Sequence, residues 1–559
     1  MHPLHGFQAP SSSNILSFNP PHSFQAPSSP KKILPQPAPK PQLITRSGPG
    51  NTRTAMQTSV RGDDKPKLAV AIDFGTTFTK AAIMALIPGY SPNIIEVRDY
   101  PSCPRDTRMV PSVLSYSADG ESRGGVSFGP EAQNDLDLEG SDRVVYGRFK
   151  PKFPSGMVQP LNAPGPMRHV QELYLVMAQA MYLHIRDCYT SVIEAYPGVF
   201  FPDWEDIPVE FCFTVPAVGD PQIAGEKLKE LARRAGFGSV PGHSVCADVL
   251  TEGEASAIYS LMHSKDSRGL ENGKTLVVVD VGGATSDLCV LKIVDRDAAQ
   301  VSLDFADPVR GQQIGSTKVN EELEQLLSQF LAGRVDDPVS WARAITSLPD
   351  VEEMKVQVCS GVQKDEDLKI GLPERAILQT GTQGASAPEL SIAGLSMDDN
   401  VVKIKSDLMR RLVDTQVLGT GARGEMCLKR QLDAVIEDVM IKRPEGASAE
   451  VDRILWSGGF GSSAYVRGQL QKRLVEERDC DPQRSWAPVH SNIKGLDFSV
   501  SSDPQLCVCK GALYHWLKDR ETSRPGQAES AQAQKKQKGS WWRRLFGRQK
   551  RGAGPKTAQ

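Results

Sequence analysis

The sequence predicts an α/β protein with two related lobes. From Lys67 onward, apolar strand-like segments alternate with amphipathic helical ones, which is typical of α/β layers. One pattern occurs twice: LAVAIDFGTTFTK (68–80) and TLVVVDVGGATSD (275–287) each run from an apolar strand into an aspartate and then into small or hydroxyl residues. The repeat indicates that two similar halves present the same kind of turn.

Length and charge limit the class of protein. The 559 residues, 39% of them hydrophobic, can bury more than one core, and we expect roughly two to four compact units. Because 65 basic and 67 acidic residues give a net charge of −2, the composition gives no general indication of nucleic-acid binding. Ten scattered cysteines without a CxxC motif predict reduced thiols in a cytoplasmic setting. No apolar run approaches the ~20 residues of a membrane span, so we expect a soluble protein.

Residues 1–66 are predicted to be a disordered extension. They are rich in Pro, Ser and Gln, contain the near-repeats GFQAPSS and SFQAPSS, and have no acidic residue before Asp63. Such a composition buries too little apolar surface to fold alone. Because the segment is poor in acids and rich in hydroxyls, an organelle transit peptide is the alternative.

The expected elements follow in chain order. Residues 170–189 have helical apolar spacing, residues 209–217 predict a buried strand that ends at Pro216, and residues 222–237 predict an amphipathic helix stopped by Gly236. Further helices are expected over 318–331 and 429–440. Residues 453–474 predict a strand, a glycine-rich turn and a helix.

This third turn, LWSGGFGSS, resembles an anion-binding site. Gly458, Gly459 and Gly461 precede Ser462 and Ser463 at a predicted helix start. Free N–H groups and the helix dipole favour a phosphate or nucleotide there. A glycine turn needed only for packing is the alternative for any one loop, but three such turns in one chain favour a nucleotide.

Two strand-end aspartates suit a nucleotide triphosphate with Mg²⁺. Mg²⁺ keeps several waters, so Asp73 and Asp280 could hold it through water from opposite sides. Thr76, Thr77 and Thr285 would place hydroxyls and amides around the phosphates. The metal would then offset the cost of burying carboxylates at the ends of apolar strands.

These segments together resemble the actin-like ATPase superfamily. IDFGTTFTK is similar to its first phosphate loop, VVDVGGATSD to its second and LWSGGFGSS to its adenosine loop. Five further segments resemble the seventy-kilodalton heat-shock-protein (DnaK-type) chaperones, most of all their divergent twelve-type branch. They are FTVPA, TEGEASAIY, GQQIGSTKVNEELEQLL, VEEMK and SSDPQLCVCKGALYHW. The resemblance implies a duplicated, ribonuclease H-like fold over residues 67–518, with two lobes around a nucleotide cleft.

The resemblance also implies roles for individual residues. Asp73 and Asp280 approach Mg²⁺ through water, Asp287 places the attacking water, and Glu252 links nucleotide state to lobe closure, with Pro216 as the switch proline. A lysine of the first lobe reaches the γ-phosphate; Lys150 is preferred over Lys152. The implied ATP- or ADP-binding residues are Gly75, Thr76, Thr77, Gly282, Gly283, Thr285, Gly315, Glu352, Lys355, Gly458, Gly459 and Ser463.

Three departures from the family pattern affect function. Ala284 stands where the second phosphate loop usually has a third glycine, so mildly weaker binding is expected. Ala224 replaces the basic residue that couples hydrolysis to a partner domain. Only about forty polar, basic residues follow Lys518, so we expect no peptide-binding domain of the usual length.

The last residues, 519–559, are predicted to be a disordered basic tail. Residues 535–551 contain eight basic residues and no acidic one, and on a helix the aromatic and apolar side chains share one face. A peripheral anchor on an anionic membrane, a nuclear-import signal and a solvated charge run are the three interpretations. The residues concerned are Trp541, Trp542, Arg543, Arg544, Leu545 and Phe546.

The sequence therefore predicts an ATP-binding protein and slow ATPase whose lobes close around Mg-ATP. Lobe I would comprise residues 67–264 and 500–518, and lobe II residues 274–499. A non-catalytic nucleotide-binding scaffold of the same fold is the main alternative, and a small-molecule kinase is a further one.

Overall fold

The computed structural model describes most of the chain from residue 65 to residue 522. The described residues are 65–117, 125–136, 138, 142–162, 165–263, 271–296, 301–361, 366–378, 391–419, 426–441, 451–480 and 497–522. The chain divides into two units, Met1–Met56 and Gln57–Gln559, and every described residue belongs to the second. The predicted extension up to residue 64 and the patch 541–546 lie outside the described residues.

The first half of the described chain contains one large sheet and several helices. Its strands are β1 (Lys67–Phe74), β2 (Phe78–Leu86), β3 (Asn93–Glu96), β4 (Val110–Pro111), β5 (Leu114–Ser117), β6 (Val126–Phe128), β7 (Arg143–Tyr146), β8 (Met157–Val158), β9 (Arg168–His169), β10 (Val209–Val215), β11 (His243–Val245) and β12 (Leu250–Thr251). Its helices are α1 (Pro130–Asn134), α2 (Val170–Asp187), α3 (Tyr189–Glu194), α4 (Pro221–Arg234) and α5 (Glu252–Met262), with a 3₁₀ turn at Lys150–Lys152.

The second half contains a second large sheet. Its strands are β13 (Thr275–Val281), β14 (Ser286–Arg296), β15 (Val301–Gln312), β16 (Leu368–Gly371), β17 (Leu395–Asp398), β18 (Val401–Ile404), β19 (Arg453–Ser457) and β20 (Asp497–Val500). Its helices are α6 (Ser316–Leu331), α7 (Pro338–Ser347), α8 (Pro349–Ser360), α9 (Ser406–Leu418), α10 (Leu428–Ile441), α11 (Ala464–Cys480) and α12 (Cys507–Thr522), with a 3₁₀ turn at Glu374–Ala376.

The two large sheets have the same strand order and the same directions. Listed from the edge strand β3, the path of the first sheet is β3-β2-β1-β10-β11. Strand β1 is antiparallel to β2 and parallel to β10, which is parallel to β11. In the second, the path is β15-β14-β13-β19-β20; β13 is antiparallel to β14 and parallel to β19, which is parallel to β20. The predicted α/β class is confirmed, and both sheets are mixed.

Burial explains why the central strands are apolar along their whole length. Every residue of β13 and all but the first of β1 are buried, because helices cover the sheets. One core joins the first sheet to α2 and α4, and another joins the second sheet to α6, α9 and α11. Helix α12 packs on α5 and on β1, so the last described element returns to the first sheet.

Local signals account for several element ends. Asp220 caps α4 by accepting hydrogen bonds from the backbone N–H groups of Gln222 and Ile223, and Thr251 forms a capping box with Glu254 at the start of α5. Strand β10 stops at Val215, because the following proline has no N–H to donate.

The observed ends differ from the predicted ones by a few residues. The helix expected over 170–189 is divided at Cys188 into α2 and α3, and the helix expected from residue 318 already begins at Ser316. None of the described helices combines the length and apolar character needed to cross a bilayer.

Candidate functional site

Two buried aspartates end the central strands of the two sheets. Asp73 is the second-last residue of β1 and Asp280 the second-last residue of β13, with 3% and 8% of their surface exposed. Each faces a charged residue in the register of its hairpin: Asp73 pairs with Lys80 on β2, and Asp280 with Asp287 on β14. Equivalent positions of the two sheets therefore carry the charged groups of the candidate site.

Two lysines balance the first aspartate. Lys80 Nζ lies 3.2 Å from Asp73 Oδ2, and Lys150 Nζ lies 3.9 Å from Asp73 Oδ1. Lys150 also donates a hydrogen bond of 2.5 Å to Glu252 Oε1 at the start of α5. Burial alone would lower the pKa of Lys150, but the carboxylates of Glu252 and Asp73 together raise it, so this lysine stays charged. Lys152, the other candidate from the sequence, is exposed.

Three of the acids carry raised pKa values. Burial raises the pKa of Asp280 to about 6, with the charge of Asp73 adding to the effect and Lys80 opposing it. Burial also raises the pKa of Glu252 to about 7, against the influence of Lys150. Asp287 has a raised pKa through burial and the nearby charges of Glu252 and Asp280. These mutual influences place Asp73, Glu252, Asp280 and Asp287 in one electrostatic cluster.

The cluster has more carboxyl groups than basic groups. Four carboxyl groups face two lysines, and three carboxylate oxygens accept no hydrogen bond within the described part of the chain: Asp73 Oδ1, Asp280 Oδ2 and Asp287 Oδ1. Buried carboxylate oxygens without donors are costly unless a cation compensates for them. Hard oxygen donors of this kind suit Mg²⁺. The described residues contain no group of three or more His, Cys, Asp or Glu side chains placed to hold a metal ion directly.

The glycine- and threonine-rich loops of the two sheets touch each other. Gly283 approaches the first loop so closely that a methyl group on its Cα would lie 2.5 Å from Thr77 Oγ1 and 3.3 Å from Thr76 Cβ. The second loop closes through a hydrogen bond of 2.9 Å from Gly282 N–H to the Thr285 carbonyl. The loops predicted to bind phosphate are thus in contact although they come from different sheets.

Neighbouring turns fix both loops. The hydroxyl of Ser112 donates to the Gly75 carbonyl at 2.8 Å and so anchors the first loop. The N–H of Thr317, in the first turn of α6, donates to the Gly283 carbonyl at 2.6 Å, and a methyl group on Gly315 would lie 2.5 Å from the same oxygen. Gly315 is therefore required for the close packing of the α6 start on the second loop.

The third glycine-rich turn also reaches the cluster. A methyl group on Gly458 would lie 2.5 Å from Asp280 Oδ1. The hydroxyl of Ser463 donates to the Cys359 carbonyl of α8 at 2.6 Å, and Gly459 is exposed. The turn therefore connects the Asp280 end of the site to helix α8.

Helix α8 places Glu352 and Lys355 beside the start of α6. Lys355 Nζ lies 2.7 Å from Glu352 Oε2 and donates to Asn320 Oδ1 at 2.8 Å. Burial lowers the pKa of Lys355, and the nearby Arg148 adds to this while Glu352 opposes it. Arg148 itself donates to the Thr346 carbonyl at 2.7 Å, so it connects the first half of the chain to the second.

Several residues of this region were not predicted from the sequence. Lys80 could have been found, because a short hairpin after Asp73 places it in register with the aspartate. Ser256 and Ser457, whose hydroxyls hydrogen-bond Asp280, carry no local signal. The same holds for Arg148.

Comparison with protein-family models and with curated proteins finds no match to this chain. Its function is therefore inferred from the geometry described above.

Proposed function

We propose that the chain is an ATP-binding protein with the duplicated actin-like (ribonuclease H-like) fold, most similar to the twelve-type branch of the seventy-kilodalton heat-shock-protein chaperones. Its two lobes close around Mg-ATP and hydrolyse it slowly. The observation that supports this most is the shared strand order of the two sheets. In each sheet the central strand ends near a buried aspartate beside a glycine- or threonine-rich loop. One ligand between these loops would contact both halves of the chain.

A metal-bound triphosphate fits the chemistry of the cluster. Asp73, Asp280 and Asp287 each have a buried carboxylate oxygen that accepts no hydrogen bond from the described residues, and a bound cation would stabilise these oxygens. Asp73 and Asp280 would hold Mg²⁺ through its waters, and the ion would supply charge neutralisation to the phosphates. The backbone of Gly282 and Gly283 allows close approach of phosphate oxygens.

The remaining charged groups support hydrolysis. Glu252, with a pKa raised by burial to about 7, can accept a proton near neutral pH. Lys150, 2.5 Å from it, supplies a fixed positive charge toward the transferred phosphoryl group. Asp287, whose Oδ1 accepts no hydrogen bond from the described residues, would orient the attacking water. Most of the rate would come from positioning and charge stabilisation.

Glu352, Lys355, Gly458, Gly459 and Ser463 would form the nucleoside side of the site. The hydrogen bond from Ser463 to α8 holds the turn against the helix that carries the two charged residues. An exposed Gly459 leaves room for a planar base beside the backbone. This assignment predicts that Ser463→Ala weakens nucleotide binding, and that adding Mg²⁺ still increases the affinity of the variant for ATP.

Purified chain with radiolabelled ATP tests the proposal. Asp73→Ala and Asp280→Ala should abolish Mg²⁺-dependent binding and hydrolysis. Asp398→Ala is the control, since this aspartate is exposed at the end of β17, where it forms a surface ion pair with Lys403. Calorimetric titration with ATP, with and without Mg²⁺, separates binding from turnover.

The outcomes distinguish the alternatives. Metal-dependent binding without phosphate release would favour a nucleotide-binding scaffold. Transfer of the label to an added metabolite would favour a small-molecule kinase. If neither ATP nor ADP binds to the folded protein at millimolar concentration, the proposed function is wrong.

A further inference from the structure

Two thiols that are 34 residues apart in the chain are in contact at the first large sheet. Cys212 lies on β10, and Cys246 follows β11 directly. Their Sγ atoms are 3.0 Å apart, and both cysteines are reduced. Because β10 and β11 are parallel, with Phe211 facing Val245, the two cysteines occupy the next facing positions.

The geometry of this pair suits a disulfide. Facing residues of neighbouring strands lie about 4.8 Å apart, within the range of roughly 4.4–6.8 Å between the Cα atoms of disulfide-bonded cysteines. The sulfur atoms need to approach by only about 1 Å to reach bonding distance. Small side-chain rotations can provide this without moving the strands.

A cavity gives small molecules access to the pair. It has a volume of about 480 Å³, and both thiols line it together with Asp248, Ala512, Trp516 and Arg520. Cys246 is partly exposed, whereas Cys212 is buried. The two sulfur atoms therefore differ in accessibility, as an attacking and a resolving thiol would.

We propose that Cys212 and Cys246 form a thiol–disulfide exchange site for low-molecular-weight disulfides. Cys246 gives up its proton to water, and its thiolate attacks one sulfur of the small disulfide, forming a mixed disulfide and releasing one small thiolate, which takes up a proton from water. Cys212 Sγ then attacks Cys246 Sγ, the second small thiolate leaves, and it takes the Cys212 proton. The chain loses two electrons and gains an intramolecular disulfide, while the small disulfide is reduced to two thiols.

The protonation of the Cys212 thiol supports this order. The hydrogen bond with Cys246 and burial raise the pKa of Cys212 well above its usual value. A thiol kept protonated is a poor first nucleophile. Its contact with Cys246 compensates for this in the second step, which is intramolecular.

The bond would join two segments that both lead to the charged cluster. The chain leaving the end of β10 leads to Ala217, whose N–H donates to Asp287 Oδ2 at 3.4 Å. The segment after Cys246 runs through Thr251, the cap of α5, to Glu252. The exchange site itself does not depend on nucleotide binding.

Treatment of the full chain with 2-hydroxyethyl disulfide, a small neutral probe, tests the proposal. After alkylation and proteolysis without reductant, mass spectrometry should find the Cys212 and Cys246 peptides crosslinked, with the loss of two hydrogen masses. Cys212→Ser should stop at a stable mixed disulfide on Cys246. Cys103→Ser, which changes a partly exposed thiol elsewhere, should leave the crosslink unchanged.

Two results would overturn the proposal. One is wild-type protein that remains folded, with both thiols still open to alkylation after denaturation, while Cys103 has reacted with the probe. The other is a mixed disulfide that accumulates on wild-type Cys246 and never resolves. The wild-type readout needs no variant, so a folding defect in Cys212→Ser would not affect it.

Discussion

The buried pair of Lys150 and Glu252 offers a direct test of the cluster geometry. The two charged atoms are 2.5 Å apart, and only 6% and 12% of the side chains are exposed. At an effective dielectric constant near 20, this separation corresponds to about 7 kcal/mol of attraction before desolvation is subtracted. Removing one partner of a buried pair usually costs about 3–5 kcal/mol, because the other charge is left uncompensated.

A double-mutant cycle with Lys150→Met and Glu252→Gln measures this interaction. At pH 8, Lys150→Met should lower the free energy of unfolding by about 3–5 kcal/mol. The double variant should lose at least about 2 kcal/mol less than the sum of the single losses. The assay is urea unfolding of the nucleotide-free chain, followed by tryptophan fluorescence, with the buried Trp456 as a probe of the second sheet.

The pH dependence of Lys150→Met provides a second check. Burial raises the pKa of Glu252 to about 7 even beside the lysine, and without the lysine the pKa should rise further. A raised carboxyl pKa means that the folded chain holds a proton that the unfolded chain has released, so stability is lost as the pH rises. The cost of Lys150→Met should therefore be smaller at pH 6 than at pH 8.

The exposed neighbour Lys152 provides the matched control. Lys152→Met changes the same residue type on the same 3₁₀ turn and should alter stability by no more than about 0.5 kcal/mol. Single losses that add to within about 0.5 kcal/mol would show that Lys150 and Glu252 do not interact. The described arrangement of the cluster would then be incorrect.

Three further predictions concern pH, packing and the tail. Burial raises the pKa of Asp280 to about 6, so without nucleotide the free energy of unfolding should fall by up to about 3 kcal/mol as the pH rises from about 4 to about 7. Urea unfolding should show a smaller fall for Asp280→Asn, and an equal fall in both proteins would contradict this. Gly315→Ala should lower the free energy of unfolding by about 1–3 kcal/mol, because the added methyl group meets the backbone of Gly283. Gly371→Ala, whose methyl group would enter open space, should lower it by less than about 1 kcal/mol. Equal melting temperatures of the two variants would refute the close approach of Gly315 to Gly283. Deleting residues 540–559 should abolish flotation of the chain with anionic liposomes, and unchanged flotation would remove the membrane interpretation of the tail.

Local patterns in the sequence were enough to predict the α/β class and the central strands. Apolar runs that end in an aspartate and glycine are local features, and they located β1 and β13 together with Asp73 and Asp280. The resemblance added the roles of Glu252 and Lys150, which remain proposals. The short hairpin after each aspartate also fixes, within one segment, which residue faces it.

Only the tertiary structure decided which groups from distant segments meet. The pairing of Lys150 with Glu252, the contact of Gly283 with Thr77 and the approach of Cys246 to Cys212 each join parts of the chain far apart in sequence. The apolar pattern specifies which face of an element is buried, but many partners satisfy that pattern equally well. The choice among them depends on the packing of both sheets and their helices together, since the charges and thiols are brought into contact only when the apolar surfaces around them are buried.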